Sequence, residues 1–265
     1  MNGGMRTLGL IKKRNPNYPV ITIITAVYNG VNYLEATILS ILGQNYENIE
    51  YIIIDGGSSD GSVDIIRKYE HLIEYWVSEK DKGISDAFNK GISFSRGDFI
   101  NFQGDGDGFS SPQSLAALFA SVDTGTYLVC GRIKRVDKQG NLLYISPSLG
   151  AFSKYSLLFK MALPHQGLFM NINMFKEYGL FDSSYKFAMD YEHLLRAYHH
   201  FPSIVTKDLV VAQWRADGVG EGKTLNVLRE YDFIKRKNNV APSYVLHLIN
   251  AWSHFKYYLK RLLGV

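Results

Sequence analysis

The stretch that decides the fold reads Gly97-Asp98-Phe99-Ile100-Asn101-Phe102-Gln103-Gly104-Asp105-Gly106-Asp107-Gly108-Phe109. Residues 99–102 have the composition of a short β-strand, and a glycine-rich turn with two carboxylates follows them. A helix is predicted to begin near residues 110–112. Because glycine allows positive φ and close approach to the backbone, Asp105 and Asp107 can converge on one hard cation, Mn²⁺ or Mg²⁺. A solvated Asp-Gly turn explains the same residues without a metal.

Length and composition indicate a folded protein with one main domain. The chain has 265 residues, 46% hydrophobic and 20% charged, which is enough to bury a core and is not typical of disorder. Cys130 is the single cysteine and no signal-peptide pattern is present, so we expect a cytoplasmic protein without an intramolecular disulfide. No apolar run reaches the roughly 18 to 20 residues that span a bilayer. A net charge of +4 is too small to indicate nucleic-acid binding.

Strands and helices are predicted to alternate on both sides of this turn. The predicted strands cover residues 20–27, 51–54, 73–77 and 99–102, and the predicted helices between them cover 33–42, 63–69 and 84–94. This alternation predicts an α/β fold with a mostly parallel, Rossmann-like nucleotide-binding sheet flanked by helices.

Polar residues follow each of these predicted strands: Asn29, Asp55, Asp81, Asp105 and Asp107. The carboxyl ends of parallel strands meet at one edge of a sheet, where ligands bind among loops and helix N-termini. We therefore expect a nucleotide-binding crevice at this edge. The glycines form neither a GxGxxG fingerprint nor a P-loop, so neither a dehydrogenase nor a P-loop kinase is favoured.

Four segments resemble family 2 glycosyltransferases of the GT-A fold, in particular bacterial enzymes that build O-antigen, capsule or exopolysaccharide. The segments are 22–29 (TIITAVYN), 55–61 (DGGSSDG), 81–91 (DKGISDAFNKG) and 97–107 (GDFINFQGDGD). The resemblance covers roughly residues 19–220. It implies a GT-A domain over 19–222. Residues 1–18 are rich in Gly, Asn, Lys and Arg and show no period, which predicts a loose N-terminal lead-in, and the pattern of 223–265 predicts a basic, amphipathic helical extension.

The resemblance also implies a donor site and a metal site. Asp55 matches the acid that binds a uracil-type base, Asp81 matches a second acid on the nucleotide side, and Asp107 matches the metal-binding acid. Family members commonly carry Asn-Ser-Gly-Asp or Asp-x-Asp-Asp where this chain has Gly-Asp-Gly-Asp, which leaves Asp105 as a metal ligand, a group behind the ligand or a turn residue. The residues expected to bind the nucleotide sugar are Ala26, Tyr28, Asn29, Asp55, Asp81, Gly83, Asp86, Lys90, Asp105, His165, Gln166 and Arg215.

Two further segments, 163–167 (LPHQG) and 187–196 (FAMDYEHLLR), extend the likeness. The family's catalytic base is matched by Asp190, which could instead be a helix cap, and Glu192 is the rival base. His165 is matched to a pocket wall, although a lone histidine is often a structural hydrogen-bonding group. Arg215 could neutralise diphosphate charge or lie on the surface, and the loop after it, to Gly220, is similar to a Gly-Val-Ser element near the family's active site.

The function implied by the resemblance is inverting, metal-dependent sugar transfer. The donor would be a nucleotide-diphosphate sugar, a UDP-sugar first, and the acceptor a saccharide hydroxyl on a lipid diphosphate carrier. One alternative is a non-catalytic sugar-nucleotide or glycan-binding module of the same fold. Another is a nucleotidyltransferase, but residues 28–32 contain none of the basic side chains that such an enzyme needs after its first strand.

The tail predicts two helices, over residues 224–238 and from residue 243 onward, separated by Ala241-Pro242-Ser243. An apolar stripe recurs along the second helix, with basic side chains off it. Three roles fit residues 243–265: binding to the inner face of the plasma membrane, packing on the domain, or pairing in a homodimer. The stripe comprises Leu248, Trp252, Phe255, Leu259 and Leu262, and the basic residues are Lys256, Lys260 and Arg261.

Overall fold

The computed structural model describes residues 1–123, 125–150, 152–216 and 222–263. The strands within these ranges are β1 (Asn2–Gly3), β2 (Ile21–Val27), β3 (Ile49–Asp55), β4 (Tyr75–Ser78), β5 (Phe99–Gly104), β6 (Gly108–Phe109), β7 (Leu128–Val136), β8 (Leu142–Ile145), β9 (Leu168–Asn171) and β10 (Ile204–Arg215). The α-helices are α1 (Leu34–Leu42), α2 (Ser62–Lys68), α3 (Ile84–Phe94), α4 (Ser114–Phe119), α5 (Ile172–Tyr178), α6 (Met189–Arg196), α7 (Thr224–Lys237) and α8 (Ser243–Leu263). Short 3₁₀ turns cover Lys154–Leu158 and His165–Gly167.

These strands form one mixed sheet in the order β1-β4-β3-β2-β5-β9-β7-β10-β6, with β8 beside β7. The neighbours β4, β3, β2 and β5 run parallel, as predicted. Beyond them, β9 is antiparallel to both β5 and β7, while β10 is parallel to β7. The carboxyl ends of these four parallel strands lie at the edge of the sheet that carries the candidate nucleotide-binding residues. All seven residues of β2 are buried, as expected of a β-branched strand covered on both faces.

Helices cover both faces of the sheet, so the protein has two hydrophobic cores. On one face α1, α2 and α4 pack against side chains such as Ile23 and Ile53. On the other face α3, α5, α6, α7 and α8 pack around Ile24 and Phe102. Neighbouring residues of one strand therefore serve different cores, because successive side chains of a strand point to opposite faces.

The N-terminal segment differs from the prediction of a loose lead-in over 1–18. β1 pairs antiparallel with β4 at the edge of the sheet. The Arg6 guanidinium lies 2.7 Å from the carboxylate of Glu50, and that of Arg14 lies 3.1 Å from it. Glu50 is fully buried in β3, where an unpaired charge is strongly unfavourable. The buried carboxylate therefore holds the N-terminal segment against the domain.

The C-terminal helices lie on the domain. α7 packs against α6, and α8 packs against α7. Leu246 and Ile249 bury one face of α8, while its opposite face leaves Leu248, Trp252 and Leu262 between 51% and 83% exposed. Within the described ranges, no helix is both long and apolar enough to cross a bilayer.

Candidate active site

A cleft of about 1070 Å³ opens beyond the carboxyl end of β5. It is lined by the turn after β5, the turn before β9, the start of α6 and the end of β10, with β8 and one residue of α7 closing the sides. The cleft brings together six residues that the sequence singled out: Asp105, Asp107, His165, Gln166, Asp190 and Arg215. They come from four separate segments of the chain, which the fold brings together around one cleft.

The turn that carries the two acids is fixed by α1 and β10. Gly106 has φ +88°, a conformation that favours glycine, and the Arg215 guanidinium lies 2.6 Å from the point that a Cβ there would occupy. The Thr37 hydroxyl of α1 donates to the Asp107 carbonyl at 2.7 Å, and its oxygen accepts from the Gly106 N–H at 2.8 Å. A side chain at position 106 would therefore displace the arginine or distort the turn.

The carboxylate of Asp107 joins three segments of the chain. One oxygen accepts from the Arg215 N–H at 3.0 Å; the other accepts from the Gln166 side-chain amide at 3.1 Å and from the Gly104 N–H at 3.2 Å. Burial raises the pKa of Asp107 to about 6; these hydrogen bonds oppose the shift, and the charge of Asp105 adds to it. A positive charge in the cleft would therefore stabilise the ionised carboxylate.

Two polar residues of β5 hold Gln166 in place. The side-chain amides of Asn101 and Gln103 each donate to the Gln166 carbonyl at 3.1 Å. Both residues are buried, so their polarity within an otherwise apolar strand is explained by this contact. The side chain of Gln166 is thereby directed to Asp107.

The acids fit a hard divalent cation. Asp105 and Asp107 both line the cleft and supply the oxygen ligands that Mn²⁺ and Mg²⁺ accept. In the parts of the chain that the structure describes, no three His, Cys, Asp or Glu side chains gather into a metal cage. One or two carboxylates suit a cation that takes its remaining ligands from phosphate oxygens and water.

Arg215 adds a fixed positive charge beside this turn. Its guanidinium carbon lies 3.2 Å from the centre of the Tyr33 ring, a close cation–π contact. Arg215 also lines the cleft, so the predicted position near a diphosphate is compatible with the geometry. The remainder of the predicted loop, residues 217–220, lies outside the described residues.

His165 and Asp190 face each other across the cleft wall. Asp190 is the second residue of α6; one carboxylate oxygen accepts from the Tyr191 N–H at 2.8 Å, and the other lies 3.6 Å from His165 Nδ1. The imidazole stacks on Phe102 at 5.5 Å between ring centres. Burial lowers the pKa of His165, and the charge of Asp190 opposes that shift. The lowered pKa favours a neutral imidazole beside Asp190, and both residues line the cleft.

The rival base, Glu192, faces away from the cleft. It is buried, and Arg196 Nε lies 2.9 Å from both of its carboxylate oxygens. Arg196 also donates to the carbonyls of Tyr178 and Leu180, which ties α6 to the segment after α5. Glu192 has a structural role, so the hypothesis that it is the base is not supported.

Two neighbouring residues of α7, Glu230 and Tyr231, contact the site although no sequence motif marks them. The Glu230 carboxylate accepts hydrogen bonds from the backbone N–H groups of Lys186, Phe187 and Ala188 at 2.9, 2.9 and 3.0 Å. Tyr231 lines the cleft. Helical periodicity alone predicts α7, and nothing in its sequence separates these two residues from a solvated helix face.

The other predicted nucleotide-binding residues lie outside the cleft lining, at the neighbouring strand ends. Asp55 ends β3, fully buried, and its carboxylate accepts from the N–H groups of Gly57 and Ser58 and from the hydroxyls of Ser58 and Ser78. Asn29, at φ +53°, accepts from the Ser59 N–H at 3.0 Å. The carboxylate of Asp55 therefore fixes the loop that follows β3.

The start of α3 forms the next part of this edge. Asp81 accepts from the Gly83 N–H at 2.9 Å, and Asp86 accepts from the Lys82 N–H at 3.0 Å. Lys90 Nζ lies 3.0 Å from the carboxylate of Glu79 and 3.7 Å from that of Asp86, so the lysine forms ion pairs with both acids. Ile84 of the same helix lines the cleft, which makes this edge continuous with it. Of the remaining predicted residues, Ala26 is buried at the end of β2 and Tyr28 is largely exposed.

Solved structures with the same architecture identify the fold. TarS of Staphylococcus aureus in complex with UDP-GlcNAc superposes with a TM-score of 0.66 at 16% identity, covering 88% of this chain and 71% of that one. A mannosyltransferase from Pyrobaculum calidifontis in complex with GDP-Man and Mn²⁺ gives a TM-score of 0.65 at 16% identity, covering 94% and 76%. The fold is that of GT-A glycosyltransferases, as predicted.

The chain belongs to glycosyl transferase family 2, whose model matches residues 22–178. An uncharacterized glycosyltransferase of Mycobacterium tuberculosis is 33% identical over 184 residues, which are 68% of this chain and 69% of the relative. The protein is therefore an enzyme, a glycosyltransferase, and the nucleotidyltransferase and non-catalytic alternatives are not supported.

Proposed function

We propose that the protein transfers a sugar, with inversion, from a UDP-sugar to a hydroxyl of a saccharide acceptor. The acceptor would be carried on a lipid diphosphate during synthesis of a bacterial surface polysaccharide. One observation carries the proposal: Asp107 and Asp190, the proposed metal-binding acid and the proposed base, line the same cleft. A donor between them would have its diphosphate at one acid and its anomeric carbon within reach of the other.

On the donor side, Asp107, with Asp105 beside it, would hold Mn²⁺ or Mg²⁺. When bound, the cation supplies charge neutralisation for the departing diphosphate. Arg215 lies next to the same turn and would add a second positive charge to the leaving group. Asp55, Asp81 and their neighbours at the ends of β2 to β4 would bind the nucleoside. Binding of the base by Asp55 requires its hydrogen bonds with Ser58 and Ser78 to rearrange.

On the acceptor side, Asp190 would remove the proton from the attacking hydroxyl. One of its oxygens is held by the Tyr191 N–H and the other lies 3.6 Å from His165 Nδ1, and both residues line the cleft. Burial lowers the pKa of His165, which favours the neutral imidazole over a full ion pair with Asp190. An inverting displacement with an oxocarbenium-like transition state needs a base on the acceptor side of the sugar and charge stabilisation on the leaving-group side. Asp190 would supply the first and the turn with Asp107 the second.

A screen of donors tests the proposal. UDP-, GDP- and dTDP-sugars, with Mn²⁺ or with EDTA, are compared for protection against thermal unfolding and for release of the nucleoside diphosphate. We expect a UDP-sugar with Mn²⁺ to protect most. At a hundred times its Kd a ligand adds about 2.7 kcal/mol, which raises the Tm by several degrees. Equal protection in EDTA would contradict metal dependence, and stronger protection by a GDP-sugar would contradict the proposed nucleotide.

The exposed face of α8 would bind an anionic membrane surface. Its apolar side chains lie opposite the face that packs on α7, and α8 carries Lys256, Lys260 and Arg261 but no acidic residue. Two-fold pairing of this face with a second copy would bring like charges together without an acid to offset them. Anionic headgroups provide that offset, and Trp and Phe favour the lipid–water interface.

Vesicle sedimentation tests this contact. We expect salt-sensitive binding to vesicles containing phosphatidylglycerol and little binding to phosphatidylcholine alone. The double variant Lys256→Gln/Lys260→Gln should bind about 30-fold more weakly, since each cation near the surface contributes about 1 kcal/mol. Lys138→Gln, in the exposed turn between β7 and β8, is the matched control and should bind like the wild type. A concentration-dependent dimer without vesicle binding would favour pairing instead.

A further inference from the structure

The backbone that leads into α6 is held by a side chain from another helix. The N-cap residue Ala188 makes no side-chain capping hydrogen bond. Instead, the N–H groups of Lys186, Phe187 and Ala188 all donate to the carboxylate of Glu230 on α7. N–H groups at a helix start need acceptors, and a carboxylate there also has favourable electrostatics. Glu230 therefore acts as a cap supplied from 42 to 44 positions along the chain.

We propose that Glu230 is a positioning residue for Asp190, an inference that rests on the proposed role of Asp190 as the base. The path is short, since Glu230 binds the Ala188 N–H and Asp190 follows two residues later. Tyr231, the next residue of α7, packs on Tyr191, the next residue of α6, with ring centres 4.2 Å apart. Neighbouring residues of α7 thus fix the backbone on both sides of the base.

The contact requires two acceptor oxygens. Oε1 accepts from Lys186, while Oε2 accepts from Phe187 and Ala188. Glutamine keeps one oxygen and places an NH₂ group against a backbone N–H, so at least one hydrogen bond becomes a contact between two donors. The start of α6 would then shift, and a misplacement of about 1 Å can lower a rate about 10²-fold.

The experiment compares Glu230→Gln with a neighbour on the same helix. Asp232 binds Arg236 Nε at 2.8 Å, and among the described residues no hydrogen bond joins it to residues 186–188, so Asp232→Asn loses an interaction of the same helix away from the base. We expect Glu230→Gln to lower kcat about 10- to 100-fold with an unchanged KM for the donor. Asp232→Asn should keep the wild-type kcat while lowering the Tm by a similar amount. Glu230→Asp, which keeps both oxygens, should recover part of kcat.

The outcomes separate this inference from the assignment of the base. Wild-type kcat in Glu230→Gln, or an equal loss of kcat in Asp232→Asn, would overturn the positioning role even if Asp190→Asn is inactive. Wild-type kcat in Asp190→Asn would overturn the base itself. In the double variant Glu230→Gln/Asp190→Asn we expect no loss beyond that of Asp190→Asn, because both changes affect the same step. If Glu230→Gln does not fold, Glu230→Asp is compared with Asp232→Asn: its shorter side chain cannot reach all three N–H groups, so its kcat should be the lower of the two, and an equal kcat would overturn the proposal.

Discussion

Replacing Asp190 by Asn should remove glycosyl transfer and leave donor binding nearly intact. The amide cannot accept the proton of the attacking hydroxyl, and a positioned general base is typically worth about 10²- to 10⁴-fold in rate. Asn can still accept the Tyr191 N–H, which bonds to Asp190 at 2.8 Å, so α6 should keep its start. Donor affinity by calorimetry, measured beside product formation, separates binding from chemistry.

Glu192→Gln is the informative comparison for this variant. It replaces the partner of Arg196 in a buried ion pair and should destabilise the fold, since breaking such pairs costs about 3 to 5 kcal/mol. The folded fraction should nevertheless retain its kcat, because Glu192 faces away from the cleft. Undiminished product formation by Asp190→Asn would show that another group removes the proton.

Asp107→Asn should lose metal-dependent turnover. We expect a fall of about a thousandfold in kcat, the equivalent of roughly 4 kcal/mol of charge stabilisation at the leaving group. The variant removes a buried charge whose pKa is raised to about 6 by desolvation, but its NH₂ group must face one of the N–H donors from which Asp107 accepts, so we expect a folded protein with a lowered Tm. The measurement is transfer at increasing Mn²⁺, beside the Tm with Mn²⁺ and UDP.

Asp105→Asn is its matched control in the same turn. If Asp105 is a metal ligand, this variant should need more Mn²⁺ for half-maximal rate; if Asp105 is only a turn residue, the Mn²⁺ requirement should not change. Full activity of Asp107→Asn in EDTA would contradict the metal assignment for the whole turn.

Local sequence patterns predict the parallel half of the fold well. The runs that became β2, β3 and β5 are β-branched or aromatic, and turn residues follow each of them, Asn29-Gly30 after β2 and glycine-rich loops after β3 and β5, so strand composition and turn chemistry agree. α3 matches its predicted bounds, Ile84–Phe94. The mixed half of the sheet was not predictable, because β9 inserts between β5 and β7 through contacts distant in sequence.

Contacts between segments distant in sequence also explain why the sequence did not predict a role for Glu230. Glu230 is one acid on a polar helix face, and only the packing of α7 on α6 brings it to residues 186–188. The sequence did contain a signal that the N-terminal segment packs on the domain. Glu50 interrupts a buried apolar strand, and such a charge requires a cation from elsewhere in the chain, which Arg6 supplies.

α8 lies on α7, which in turn lies on α6, the helix that carries Asp190. α7 bears Glu230 on the side of α6 and supports α8 on another, so α7 connects the apolar stripe of α8 with the start of α6. A chain truncated after residue 222 would therefore retain its nucleotide motifs but lose Glu230 and, with it, the hydrogen bonds that hold the backbone before α6.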